Sequence, residues 1–159
     1  MPWWKEEPWR LIQTNLREID MQDLSAERYV ADLKDFHATV VLLNAAGISA
    51  GYDTKLPYHS KNPYLTGDSL ERIVELCHEN GIRVIARADF SKVRRNVYEM
   101  HPEWAFRTEH GDVMEQNGFV QTCLCGDYQQ KYAFEILEEL FGRIPFDGLY
   151  CNMGGFQTR

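Results

Sequence analysis

Arg87 and Asp89 stand two residues apart in the run Arg83-Val-Ile-Ala-Arg-Ala-Asp89. On a β-strand that spacing puts both side chains on one face. An arginine neighbour braces a carboxylate, so the pair suits either contact with a hydroxyl-rich ligand such as a sugar or the orientation of a catalytic group. The structural alternative is an Arg–Asp pair that only stiffens the end of the strand. Asp89 is the candidate catalytic carboxylate, and Glu18, just past an earlier strand, is expected to point to solvent.

Other polar residues fall at matching places in the pattern. Asn15 and Arg17, then Asn44, then Arg87 and Asp89, then Asn152 each lie toward the carboxyl end of a predicted strand. Together they form a candidate substrate-binding floor. Tyr58, His59 and Trp104 are added as groove-lining candidates with Tyr64, because a pyranose offers an apolar face to an aromatic ring. Packing in the core or the loop is the alternative for each, and for Trp104 it is the favoured reading. His101, before Pro102, and His110, at a turn, read as structural or exposed. Gly47-Ile-Ser-Ala-Gly51 matches the G-x-S-x-G pattern of a nucleophile elbow. An elbow needs a helix leaving the turn at once, and Tyr52-Asp-Thr-Lys-Leu-Pro57 has no helical period. Ser49 therefore reads as part of a small-residue loop.

The elements that would position these groups follow from periodicity. Leu11–Arg17 alternates, with Ile12, Thr14 and Leu16 on one side, and predicts a first strand. Asp23 or Ser25 can cap a helix that turns Tyr29, Val30, Leu33 and Phe36 inward. Thr39–Asn44 is an apolar run of strand length, as expected for a strand covered on both faces. A long loop spans Ala45 to about Gly67. A helix then starts at Asp68 or Ser69, buries Leu70, Ile73, Val74 and Cys77, and stops at Asn80-Gly81. Arg83–Asp89 is the third strand, and Ser91–His101 predicts a short helix ended by Pro102. Residues 104–107 and 113–114 predict a hairpin turning near Gly111. Asp127 can cap a helix carrying Ala133, Ile136, Leu137, Leu140 and Phe141, and Phe146–Asn152 is the fourth strand.

Strands alternating with helices predict a parallel α/β sheet with right-handed crossovers. Two architectures satisfy that order, an open doubly wound sheet and the first half of a (β/α)8 TIM barrel. Polar residues at the carboxyl ends of four consecutive strands favour the half barrel, whose mouth collects such groups. The expected organisation is an N-terminal extension over residues 1–9 and the half barrel over 10–159. Its first and last strands would be open edges, so self-association into a homo-oligomer is expected.

Composition bounds the partners. With 24 acidic against 17 basic residues the net charge is -7, which disfavours a nucleic-acid partner. No stretch approaches the roughly 20 apolar residues of a membrane helix, and the start of the chain lacks a signal-peptide pattern. Cys77 and Cys151 fall where a small buried hydrophobe is common. Cys123-Leu-Cys125 has no second paired ligand set, so no metal is expected, and a reducing cytoplasm fits best. No organic cofactor is implied either.

Several segments, taken in order, resemble the family called hypothetical glycosyl hydrolase family 6. They are Arg10–Asp20, Thr54–His59, Gly67–Leu70, Arg83–Lys92, His101–Trp104, Gly126–Gln130, Phe146–Gly148 and Asn152-Met-Gly-Gly155. The resemblance implies a (β/α)8 barrel distantly similar to α-L-fucosidases and to β-galactosidases with a trimerisation domain. It implies hydrolysis of O-glycosidic bonds in a carbohydrate substrate, without a cofactor. Such barrels commonly carry a catalytic acid at the end of the fourth strand, where this chain reads Cys151-Asn152-Met153. The catalytic pair would then be completed outside these strands, or the site would bind sugar without cleaving it. A complete small open α/β domain of other function is the remaining alternative.

Overall fold

The computed structural model describes residues 2–5 and 9–152. Seven strands are laid down in chain order: β1 (Leu11–Thr14), β2 (Val40–Gly47), β3 (Arg83–Asp89), β4 (Lys92–Arg94), β5 (Glu115–Gln116), β6 (Phe119–Gln121) and β7 (Gly148–Asn152). The helices are α1 (Ala26–Asp35), α2 (Leu70–Glu79), α3 (Arg95–Met100) and α4 (Ala133–Arg143). The main sheet has the order β1-β2-β3-β7, and every pairing in it is parallel. Each parallel step needs a crossover, and α1, α2 and α4 supply them.

The helices form where the apolar spacing is helical and a cap is at hand. Ser25 accepts the Arg28 amide at the start of α1, and Ser69 accepts the Arg72 amide at the start of α2. Asp68 spans the two starts, accepting the Ala26 amide at 2.8 Å. Gly81, at φ +71°, ends α2 in the left-handed conformation that glycine takes most readily. Val30 and Leu33 of α1, Ile73 and Val74 of α2, and Ile136 and Leu140 of α4 are buried against Val41, Leu43, Val84 and Ala86 of the sheet. Each such aliphatic side chain contributes about 1.5–3 kcal/mol on burial. Cys77 is buried in this layer, which pushes its thiol up to about 12 and leaves it unreactive.

Alternation then dictates the opposite face of the sheet. Thr14 bonds the Tyr29 hydroxyl on α1 at 2.7 Å, so Ile12 and Thr14 look toward the helices and Gln13 looks away. The register continues that second face through Leu42, Asn44, Ile85, Arg87, Asp89, Tyr150 and Asn152. At the amino end of β3, Arg83 lies over the Trp3 ring, which stacks on Trp9 at 5.2 Å.

Several local features differ from the sequence reading. β1 ends at Thr14, because Arg17 turns the chain into a short 3-10 turn over Glu18–Met21 through its amide bond to Asp20. Phe36 lies just beyond α1 and is exposed, since the chain reverses at His37 with φ 53°. The segment before α3 is strand β4, which pairs with β6 in a small antiparallel sheet of order β4-β6-β5. Its hairpin turns at Asn117-Gly118, where both residues have positive φ as a type I′ turn requires. The predicted hairpin at Gly111 is reduced to one bridge, Arg107 to Val113. Asp127 makes no side-chain cap, and a wide π-type turn over Tyr128–Tyr132 leads into α4 instead. Cys151 is exposed on the edge strand β7 and not buried. Met153–Gly155 lie outside the described residues, as do Met1, Glu6, Glu7 and Pro8 of the extension.

Candidate active site

The parallel register brings the predicted polar residues into rows. Asn44, Arg87 and Tyr150 lie side by side on β2, β3 and β7, and Gly47, Asp89 and Asn152 form the next row toward the carboxyl end. A shift in register between Asn44 and Ala46 leaves Ala45 as an extra residue in β2. Above these rows opens a cavity of about 560 Å³ lined by Arg17, Glu18, Asn44, Ser49, Arg87 and Asp89, with Tyr64 and Phe119 among the apolar walls.

Asp89 is held through both oxygens. Its Oδ1 accepts the Ser91 amide at 3.0 Å and the Ser91 hydroxyl at 2.6 Å. Its Oδ2 accepts Asn152 Nδ2 at 2.8 Å. Three donors fix the group as an acceptor with one orientation. The predicted Arg87–Asp89 pair does not form. Arg87 reaches across to the neighbouring strand, where Nη1 donates to Asn44 Oδ1 at 2.7 Å. Asn44 in turn donates to the Leu16 carbonyl at 2.6 Å, tying the end of β1 to the floor.

Glu18 lines the cavity, contrary to the expectation that it would face solvent. Arg94 turns it inward through an ion pair, and the same guanidinium lies 5.5 Å from the centre of the Phe119 ring. Arg17 lines the rim and makes a two-pronged contact with Asp20. Asn15 is exposed and accepts from Gln13 at 2.7 Å, outside the cavity lining.

Tyr58, His59 and Trp104 lie away from this cavity. Trp104 is 2% exposed and packs on His101, Tyr58, Tyr128 and Tyr132. Tyr58 is buried in the same cluster and donates to Glu135; burial, then that carboxylate, raises its hydroxyl. His59 is buried beneath β2, where its Nε2 accepts the Gly47 amide at 3.2 Å. Burial lowers its pKa to about 4, so the ring is neutral. None of the three lines the cavity. They fill the layer under the long loop because large rings bury best where two elements and a loop converge.

Sequence reasoning missed Phe119, Asn62 and Tyr150. Asn62 is buried in the wall, donating to the Glu18 carbonyl at 3.1 Å and accepting the Tyr64 amide at 2.9 Å. The Asn117-Gly118 dipeptide was the available signal for the hairpin that carries Phe119. Ser49 also lines the cavity, but residues 51–69 contain no helix, so the elbow context is absent. Among the described residues no group of three or more His, Cys, Asp or Glu side chains could hold a metal ion. No helix among them is long and apolar enough to cross a membrane.

The fold is shared with solved glycosidases. α-L-Fucosidase isoenzyme 2 from Paenibacillus thiaminolyticus superposes with a TM-score of 0.75 at 19% identity, over 96% of this chain and 24% of that one. A maltogenic α-amylase from Thermotoga neapolitana gives 0.66 at 18% identity, over 93% of this chain and 40% of that one. A hypothetical protein from Ruminiclostridium thermocellum gives 0.70 at 17% identity, over 93% and 77%. The chain thus spans about a quarter of the fucosidase and two fifths of the amylase. No curated protein matches it. By sequence, residues 25–153 match the family described as hypothetical glycosyl hydrolase 6.

Proposed function

The chain belongs to the hypothetical glycosyl hydrolase 6 family, and from that premise we propose that it forms the substrate floor of a glycoside hydrolase, with Asp89 as a catalytic carboxylate. The observation that carries this reading is the fixed Asp89 carboxylate at a cavity with Glu18, amide and guanidinium donors and two aromatic walls. Glycoside hydrolysis needs one carboxyl group to protonate the leaving oxygen and another to attack the anomeric carbon or activate water. Asp89, held as an acceptor from both sides, fits the attacking or base role. Glu18, ion-paired with Arg94, fits a ligand to sugar hydroxyls beside it. Asn44, Arg87 and Arg17 add polar contacts from the floor and rim, and Tyr64 and Phe119 offer ring faces to a pyranose. Asn152 acts through Asp89 as a positioning residue. The fold is read as the first half of a (β/α)8 barrel, residues 10–159, with no cofactor.

The test is turnover of a panel of 4-nitrophenyl glycosides. Asp89→Asn keeps the shape but removes the charge, and kcat should fall by about 100-fold or more. Unchanged kcat and KM in that variant would leave Asp89 a purely structural group. A second reading, a sugar-binding barrel without catalysis, is favoured by Asn152 standing at the end of the fourth parallel strand. Thermal stabilisation by sugars without release of nitrophenol would select it.

A further inference from the structure

Arg87 is the cavity's unbalanced cation. Its one hydrogen bond among the described residues goes to a neutral amide oxygen, Asn44 Oδ1. Its Nε is buried without a partner. The other guanidinium groups at this end of the sheet are each neutralised, Arg17 by Asp20 and Arg94 by Glu18. Asp89, two residues along the same strand face, is turned to Ser91 and Asn152 and does not contact Arg87. A half-buried guanidinium without a carboxylate is poorly compensated, because burial strips its hydration and a neutral acceptor returns only part of it.

Resting on the carbohydrate reading of this cavity, we infer that Arg87 is a specificity residue that binds the carboxylate of an acidic sugar, a uronic acid. A planar carboxylate matches the guanidinium fork better than a hydroxyl does, and such charge-assisted pairs are the strong ones. Placement agrees with this role. Arg87 lies one row deeper than Asp89, roughly 6.6 Å along the strand. A ring whose carboxylate points to the floor therefore presents its glycosidic end to Asp89, nearer the mouth. Asn44 holds the guanidinium in plane from the side without using its charge.

Titration calorimetry on the full chain with D-glucuronate and D-galacturonate, against D-glucose and D-galactose, tests it. The acidic sugar should bind at least about tenfold more tightly than its neutral parent, and the preference should shrink in high salt. Arg87→Gln should abolish the preference, while Arg87→Lys should keep part of it. Asn44→Asp gives a second route, since it places a carboxylate against Arg87 and should erase the preference without removing the arginine. Neutral sugars bound equally or better would overturn the inference and leave the carbohydrate reading standing. A preference that survives Arg87→Gln in a folded variant would overturn the assignment to Arg87. Binding of neither class would sink both readings together.

Discussion

Gly47 has no room for a side chain. Its φ of +108° lies in the left-handed region, and a Cβ there would sit 2.0 Å from the carbonyl oxygen of Asp89. Its amide is also taken by His59 and its carbonyl by Tyr128. Gly47→Ala should therefore cost about 3 kcal/mol, seen as a lowered denaturation midpoint, and should also shift Asp89. The G-x-S-x-G pattern drew attention to this spot for the wrong atom: a single sequence does not display φ, so the glycine's role was hidden behind the serine. His59 makes a second prediction. Its folded pKa of about 4 lies below the unfolded value near 6.5, so the unfolded chain binds the extra proton first as pH falls. Stability should drop between about pH 6.5 and 4 by on the order of 3 kcal/mol. His59→Gln should flatten that part of a stability-against-pH curve, and an unchanged slope would show that the ring is not the group responsible.

Between β2 and α2 a loop of more than twenty residues stays ordered because α4 holds it. Glu139 accepts Tyr52 Oη at 2.8 Å, Thr54 Oγ1 at 2.6 Å and the Lys55 amide at 2.7 Å. Burial opposes its charge, and those three donors outweigh burial, so its pKa is lowered. Glu139→Ala removes all three bonds, and about 3 kcal/mol of stability should go with them. Hydrogen exchange should quicken across residues 50–62 before it changes in β2, and uniform protection would refute the clamp. This element also marks the limit of the sequence. The buried strands were legible, since Val40–Leu43 is apolar at strand length and Val84, Ala86 and Ala88 alternate with the polar face of Arg87 and Asp89, and α1 and α2 announced themselves by Ser25, Ser69 and helical spacing. β4–β6 were not, because strands of two or three residues carry too little periodicity to stand out. The burial of Tyr58 and His59 was equally hidden, since ring-on-ring packing joins residues far apart in the chain. Glu18 was misplaced for the same reason: its partner Arg94 lies 76 positions away.

Among the described residues the parallel sheet has two edges without a partner strand. β1 carries exposed Leu11 at one side of the parallel sheet, and β7 carries exposed Leu149 and Tyr150 at the other. Open edges flanked by apolar side chains are templates for further pairing. The 159-residue chain should therefore self-associate, with a light-scattering mass at or above that of a dimer. Replacing Leu149 and Tyr150 by Lys should return it toward monomer, and a monomeric wild type would argue that the edges are covered in another way. Edge strands also open first, and Asn152 sits on one of them. When β7 peels away, Oδ2 of Asp89 loses its donor while β2, β3 and their helices are still packed. Heat should consequently silence the site before it melts the protein, with ligand response lost several degrees below the calorimetric transition and recovered on cooling.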